Sequence, residues 1–365
     1  MATATKPRAA ATLNVAMLKA SLADLSDAVP NRSPRPVLLN VLLQGGTITG
    51  SDMQTRVTED IGYDGEAVLL PFSRLRAILG ECGTDTVTLA VDGTTCIVKA
   101  GRGEWRLPVE DASEYPAWEP VGVKTLVRIP CDQFARAAWS VIGAADDATT
   151  AGGVLIEVTG DECWLVSTDG RRLYTCKIEH DQAVDDTSII VPAKAMALLA
   201  KLAGKQPDEA VQLDASTSEL VAVIGDTTVV VRLSAGTFPK WRKIIPAASG
   251  SGTVVDRVLV ESATRSAAIV TSETSRGVRY TFGGELLLLE GKSAEAGESR
   301  VQCAVGTAGT ACKVSMNPAY ITDWLRELPL DAEPTVDIEA TGSDAAVVLR
   351  CGEHLAVVMP LAEDA

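Results

Sequence analysis

The side chains that could do chemistry are few in this 365-residue chain and stand in poor company. Its two histidines, His180 and His354, each end an alternating apolar run. A Ser/His/Asp site or a His-based metal site needs an imidazole beside a nucleophile or further ligands, and neither run supplies them. Asp146-Asp147 could act as a carboxylate pair, but it follows a helical segment among small residues and reads as a solvated loop. Gly291-Lys292-Ser293 has the Lys-Ser of a phosphate loop without its upstream glycine or a following helix, so it reads as a polar loop. Gly45-Gly46, followed by Thr47 to Gly50, reads as a hairpin. The eight cysteines, at 82, 96, 131, 163, 176, 303, 312 and 351, form no C-x-x-C pair. Most sit in apolar runs such as Thr95-Cys96-Ile97-Val98, the pattern of reduced, mostly buried thiols in a cytosolic protein. The densest set of reactive types is Ser167-Thr168-Asp169-Gly170-Arg171-Arg172-Leu173-Tyr174, where an acid stands beside two cations. No catalytic partner accompanies it, and the residues lead us to expect no catalytic centre, metal or cofactor.

Bulk properties narrow the classes further. Apolar residues make up 46% of the chain and charged residues 22%, the balance of a soluble protein that forms cores. No apolar run reaches the ~18 residues of a membrane span, so no membrane partner is expected. The start, Met1 to Ala11, carries Lys6 and Arg8 without a following apolar stretch and reads as a loose tail, not a secretory signal. A net charge of −15 argues against nucleic-acid binding over the whole surface but leaves room for a local basic face.

The elements that must position these residues repeat. Helical segments led by proline open at Pro71, Pro192 and Asn317-Pro318, at intervals of about 120 residues. In the third, Ile321, Trp324, Leu325 and Leu328 follow the i, i+3, i+4, i+7 spacing of an amphipathic helix. An alternating strand follows each helix, at Val87–Val91, Val211–Leu213 and Val336–Ile338, and a hairpin partner follows each strand, at Cys96–Val98, Val221–Val223 and Val347–Leu349. Asp92-Gly93 marks the first turn. Two copies close on the same motif, Tyr115-Pro116-Ala117-Trp118 and Phe238-Pro239-Lys240-Trp241. A further helix opens each copy: Leu18, Leu22, Leu25 and Val29 share one face of the first; the second runs from about Asp132 to Ile142, with Phe134, Ala138, Val141 and Ile142 inward; the third runs from about Val255 to Val270. Ala247-Ala248-Ser249-Gly250-Ser251-Gly252 is a small-residue linker. The expected organisation is a tail at 1–11 and three similar α+β domains at 12–122, 123–248 and 249–365, each with two helices on an antiparallel sheet.

Basic residues gather on these helices. Lys194, Lys201 and Lys205 are spaced for one helical face, opposite Met196, Leu199, Ala200 and Ala203. Lys19, Arg136 and Arg265 lie on the opening helices, and Arg32 and Arg35 follow the first of them. If the helices of all copies face inward, they would present a locally positive lining, which binds phosphate backbone without reading bases.

With these motifs in view, the chain resembles the bacterial DNA polymerase III β subunit family, the sliding clamps, over roughly residues 12–361. Thr168-Asp169-Gly170-Arg171-Arg172-Leu173 looks like the family's T-D-G-H-R-L, and Phe238 to Pro246 is similar to its F-P-D-Y-R-R-V-L-P. Pro36 to Gln44, Arg276-Gly277-Val278-Arg279 and Val357-Val358-Met359-Pro360-Leu361 match further family segments. The resemblance implies the DNA clamp fold and a ring-forming homodimer that encircles double-stranded DNA, does no chemistry and tethers the DNA polymerase III α subunit, the clamp loader and other proteins with clamp-binding motifs. It implies a partner-peptide pocket at Thr168, Gly170, Arg171, Arg172, Leu173, Pro239, Lys243, Ile244, Tyr320, Val357, Val358, Met359, Pro360 and Leu361. In that pocket Leu173 would line the floor and Arg172 would grip polar groups of the partner. It implies a DNA-contacting role for Arg32, and a subunit interface of Arg74, Ile78, Trp105 and Leu107 against Ile269 and Val270. The sequence departs from the pattern at Arg171, where the family often has His, at Lys243, where it has Arg, and at Thr149-Thr150, where some members carry an aromatic pair.

Two other readings stand beside this one. An interaction scaffold that keeps the pocket but does not encircle DNA fits the acidic balance, and an enzyme would have only isolated carboxylates to work with.

Overall fold

The computed structural model describes residues 10–149, 151–180, 186–271 and 277–362. Most of the expected tail, Thr150, Arg276 and residues 363–365 fall outside them. Ala11 does not belong to a tail: it opens the strand Ala11–Asn14 and is buried.

Among the described residues there are six α-helices: α1 Val15–Leu25, α2 Phe72–Glu81, α3 Cys131–Ile142, α4 Ala193–Ala203, α5 Arg257–Ala268 and α6 Pro318–Glu327. They pack in pairs, α1 on α2, α3 on α4 and α5 on α6. Each pair buries its apolar stripe, as burial of Phe134, Ala138 and Val141 in α3, Met196, Leu199, Ala200 and Ala203 in α4, and Ile321, Trp324 and Leu325 in α6 illustrates. Leu18, Leu22 and Leu25 of α1 are buried too, while Val29 is buried beyond the helix end.

Several helix ends differ from the sequence expectation. Pro71 and Pro192 are the capping residues that precede α2 and α4, and only Pro318 occupies the first helical turn. Asp147 is not simply solvated: its Oδ1 accepts the Ala193 N–H at 2.8 Å and so satisfies a free donor at the start of α4. Helix α4 stops at Gly204, which leaves Lys205 beyond it, so the three lysines do not all share one helical face. Helix α5 is shorter than the expected span, beginning at Arg257 after the strand Thr253–Asp256 and capped by Asp256 Oδ1 on the Leu259 N–H. Gly291-Lys292-Ser293 is the end of the strand Leu286–Ser293, not a loop. A side chain at Gly291 would stand 2.3 Å from the Ala267 carbonyl of α5, so the glycine permits a close approach of helix and sheet.

The chain divides into two compact units, residues 1–125 with 211–232, and residues 126–210 with 233–365. The first contains a four-stranded antiparallel sheet, Ala11–Asn14, Thr86–Asp92, Thr95–Ala100 and Gly103–Pro108 in spatial order. Six neighbouring strands of an eight-stranded sheet also lie there, Val68–Pro71, Asn40–Gln44, Gly46–Ser51, Thr55–Tyr63, Thr227–Arg232 and Glu219–Ile224 in spatial order. The second unit holds a twelve-stranded antiparallel sheet. Near its middle lie Glu162–Thr168, Arg172–Ile178, His354–Val358 and Val347–Cys351, side by side in that order. The chain end is thereby hydrogen-bonded to a strand nearly two hundred positions earlier, with Arg172 opposite Val358 and Leu173 opposite Val357.

All eight cysteines are free thiols and six are buried. Burial pushes the Cys163 thiol up to about 12, which keeps it protonated and unreactive near neutral pH.

Candidate docking site

The Thr168–Leu173 stretch is a tight connection between two neighbouring strands of the second unit. Asp169 Oδ1 accepts the Arg171 and Arg172 N–H groups at 2.9 and 3.0 Å. Thr168 Oγ1 accepts from Gly170 N at 3.1 Å and donates to the Arg172 carbonyl at 2.7 Å. Gly170 has φ +86, a conformation glycine adopts without steric cost. Aspartate, threonine and glycine thus each contribute to this turn.

Side chains on a strand alternate between faces, and that alternation divides the expected pocket in two. Leu173 and Val357 face one side and join Leu155, Val166, Ile190, Trp241 and Val348 in one buried apolar cluster. Trp164, Phe238 and Ile245 pack against it. The Trp164 and Trp241 rings meet at 5.2 Å with a 53° tilt, and Trp241 Nε1 donates to Glu157 at 3.2 Å. Because Phe238, Trp241 and Ile245 are anchored there, Pro239, Lys243 and Ile244 run along the cluster's edge with their side chains exposed. Met359 is likewise exposed, its N–H held by the Arg171 carbonyl at 2.9 Å. The result is an apolar floor with an exposed apolar rim of Pro239, Ile244 and Met359.

Arg172 lies on the other face and is engaged by its own chain. Its Nε reaches Asp169 at 3.0 Å, and its Nη1 reaches Tyr174 at 3.2 Å and Asp323 of α6 at 3.3 Å. Its guanidinium also lies 4.5 Å from the centre of the Tyr320 ring. Tyr174 Oη in turn donates to the Tyr320 carbonyl, and burial is the main cause that raises the pKa of that phenol. Arg172 therefore ties the turn to α6, in contrast to the expectation that it grips a partner. Arg171 is exposed. Pro360 and Leu361 are half-buried, with Leu361 N bonded to the Ser315 carbonyl at 2.8 Å, and Val358 is fully buried. Sequence reasoning missed Trp164, Trp241 and Asp323 as parts of this surface. The recurrence of an aromatic-Pro-x-Trp motif was the available signal for Trp241.

The expected DNA-contacting residues sit in different settings. Lys19, Arg32, Arg35, Lys194, Lys205 and Arg265 are exposed, and Lys201 is half-buried on α4. Lys19 Nζ reaches the Cys82 carbonyl at 3.5 Å. Arg136 pairs with Asp132 at 2.5 Å and Asp331 at 2.7 Å, and Arg265 pairs with Glu261 at 3.5 Å, so these two bring little net positive charge. The expected interface residues of the first unit, Arg74, Ile78, Trp105 and Leu107, all line one groove of ≈ 860 Å³. In the second unit Ile269 is 78% exposed at the end of α5, and Val270 follows it half-buried.

Arg136 and Asp331 also border a smaller groove that contains His354. His354 Nδ1 lies 3.0 Å from Ser140 Oγ. Burial, then the Arg136 and Arg257 guanidiniums, lowers its pKa to about 4 against an opposing pull from Asp331. An unfolded histidine takes its proton near ~6.5, so this group leaves stability intact above that pH and erodes it as pH falls towards the folded value. Between pH 7.5 and 5 the loss should be about 2 kcal/mol. Urea unfolding of wild type and His354→Gln at both pH values checks this, the variant lacking that part of the slope.

Comparison with known proteins agrees with this geometry. Residues 131–240 match the family model for the DNA polymerase III beta subunit central domain, and residues 242–359 match that for its C-terminal domain. The chain is 26% identical over 360 residues to a beta sliding clamp of Proteus mirabilis, covering 93% of this chain and 96% of that one. It is 28% identical over 315 residues to a beta sliding clamp of Pseudomonas aeruginosa, covering 82% and 85%. Its fold is similar to the crystal structure of the DNA polymerase III subunit beta from Pseudomonas aeruginosa, with a TM-score of 0.89 at 24% identity over 97% of this chain and 100% of that one. It is also similar to the DNA polymerase sliding clamp of Bacillus subtilis, with a TM-score of 0.90 at 20% identity over 98% and 100%. Two successive domains of one subunit matched in order over residues 131–359, on a fold shared end to end, establish that the chain belongs to the DNA polymerase III beta subunit family.

Proposed function

We propose that this chain is a DNA sliding clamp, a processivity factor that encircles duplex DNA and tethers a replicative polymerase. The observation that carries the reading is the correspondence with beta sliding clamps over 93% of the chain and 96% of the relative. Three domains, 12–122, 123–248 and 249–365, would be contributed by each chain, and two chains would close the ring. The groove of Arg74, Ile78, Trp105 and Leu107 supports a joint of this kind, with the exposed Ile269 and half-buried Val270 of a second copy as its apolar filling. Lys19, Arg32, Arg35, Arg136, Lys194, Lys201, Lys205 and Arg265 would meet phosphates without reading sequence.

The surface over Leu173, Val357 and Trp241 would receive a short peptide with Leu or Phe anchors, each gaining ~1.5–3 kcal/mol on full burial. The DNA polymerase III α subunit, the clamp loader and other proteins with such peptides are the partners this reading calls for, in the cytoplasm. The clamp itself catalyses nothing and needs no cofactor; it turns polymerase dissociation into sliding by holding the enzyme at high effective concentration.

The ring is tested by sedimentation velocity at micromolar concentration. A dimer is expected, with Ile78→Asp or Ile269→Asp shifting it to monomer. A strict monomer for the wild-type chain contradicts the ring.

A further inference from the structure

The turn at Thr168–Leu173 has a counterpart in the first unit, built atom for atom in the same way. Ser51-Asp52-Met53-Gln54-Thr55-Arg56 also joins two neighbouring strands. Asp52 Oδ1 accepts from Gln54 N at 2.9 Å and Thr55 N at 2.7 Å, as Asp169 Oδ1 does from Arg171 and Arg172. Ser51 Oγ donates to the Thr55 carbonyl at 3.0 Å and accepts from Met53 N at 3.1 Å, the roles of Thr168 Oγ1. Met53 has φ +73 where Gly170 has +86. Beside the turn, Arg232 N donates to the Gln54 carbonyl at 2.8 Å, as Met359 N does to that of Arg171 at 2.9 Å.

These bonds fix a residue-by-residue correspondence. Arg56 lies opposite Val230 as Leu173 lies opposite Val357, so Arg56 holds the place of Leu173 and Arg232 that of Met359. The floor corresponds as well: Leu42 pairs with Leu69 as Leu155 pairs with Ile190. Tyr115 packs on Leu42 and Leu69, and Phe238 packs on the cluster that holds Leu155 and Ile190. Trp118 matches Trp241 by sequence but bonds differently: its Nε1 donates at 2.7 Å to Glu219, which lies opposite Arg232, whereas Trp241 Nε1 donates to Glu157 on the Leu155 strand.

The first unit thus has the frame of the docking surface, but the two positions that are apolar there are arginines here: Arg56 is half-buried and Arg232 exposed, and each is bonded to the frame. Arg56 Nη1 donates to the Pro116 carbonyl at 3.2 Å, where Pro116 matches Pro239. Arg232 Nε donates to the Met53 carbonyl at 2.9 Å, and its guanidinium lies 5.1 Å from the centre of the Trp118 ring. An apolar anchor arriving here would strip a guanidinium of a carbonyl or an indole and bury its charge without a partner, which is strongly unfavourable.

We infer that Arg56 and Arg232 close a second copy of the peptide site, and that these two side chains are the reason an apolar-anchored peptide docks once per chain and not twice. The inference rests on reading the Leu173–Met359 surface as a peptide site. In each unit the strand frame is the same, so the choice between an open and a closed site lies with two positions.

The test is calorimetric titration of the full chain with a synthetic peptide carrying adjacent Leu and Phe anchors. Wild type should take one equivalent per chain and R56L/R232M two. In the reverse direction, M359R should bind about tenfold more weakly than wild type. Met359 is 44% exposed, so M359R adds charge at the rim without disturbing the core. A single equivalent in a folded R56L/R232M overturns the inference. Should that variant fail to fold, M359R decides alone: weakening supports the inference and wild-type affinity overturns it. No binding by wild type is a separate result, because it removes the peptide-site reading and the inference with it.

Discussion

Combining Lys194→Glu, Lys201→Glu and Lys205→Glu should cut polymerase processivity at least about tenfold and leave the protein folded. The folded state tolerates the change because the opposite side of α4 does the packing: Met196, Leu199, Ala200 and Ala203 are fully buried, and the lysine side is not. Exposed substitutions of this sort usually alter stability by less than about 0.5 kcal/mol each. For DNA the effect is large, since each phosphate that is no longer neutralised takes about 0.9 off the slope of log affinity against log salt. A primer-extension assay over a salt series measures both. An interaction scaffold that does not encircle DNA predicts unchanged processivity in the same assay.

Arg172→Ala should be the most damaging single change at the docking surface. The Arg172 side chain is 15% exposed and holds Asp169, Tyr174 and Asp323 at once, so its loss leaves a half-buried carboxylate and a phenol without their partner. Breaking a partly buried charge network of this kind costs about 2–4 kcal/mol. It also frees the turn from α6, which should weaken peptide binding about tenfold or more. Arg172→Lys should recover little, because an ammonium lacks the planar fork that reaches several acceptors and stacks on Tyr320. The contrasting substitution is Arg171→Ala. Arg171 is exposed and contributes its backbone to the turn, so stability should move by less than about 0.5 kcal/mol. Chemical denaturation and peptide titration of the three variants check this, and equal behaviour of Arg172→Ala and Arg171→Ala would remove the role given to Arg172.

Local periodicity carried much of the fold. The four positions read from their spacing, Ile321, Trp324 and Leu325 of α6 and Leu328 just past its end, are all buried, and Asp92-Gly93 does turn a hairpin. Such features depend on neighbours within one or two turns of chain, and the sequence displays them directly. What depends on distant partners was harder to see. The pairing of Arg172–Ile178 with His354–Val358 decides that Leu173 faces the Trp241 cluster and Arg172 faces α6, and no short window contains both strands. Asp147 looked like a loop acid because the helix it caps begins at Ala193, far along the chain. Gly204 was a visible stop signal that the lysine spacing overrode, and it places Lys205 past the helix. Gly291 looked like part of a polar loop because the Ala267 carbonyl it makes room for is contributed by another element.

A sliding clamp stays on DNA because it surrounds it. The most direct measurement compares retention after loading on a closed circular duplex and on the same duplex cut once. A sliding clamp should persist on the circle through gel filtration at moderate salt and run off the ends of the linear molecule. Equal retention on both would mean that surface attraction holds the protein, and would contradict encirclement.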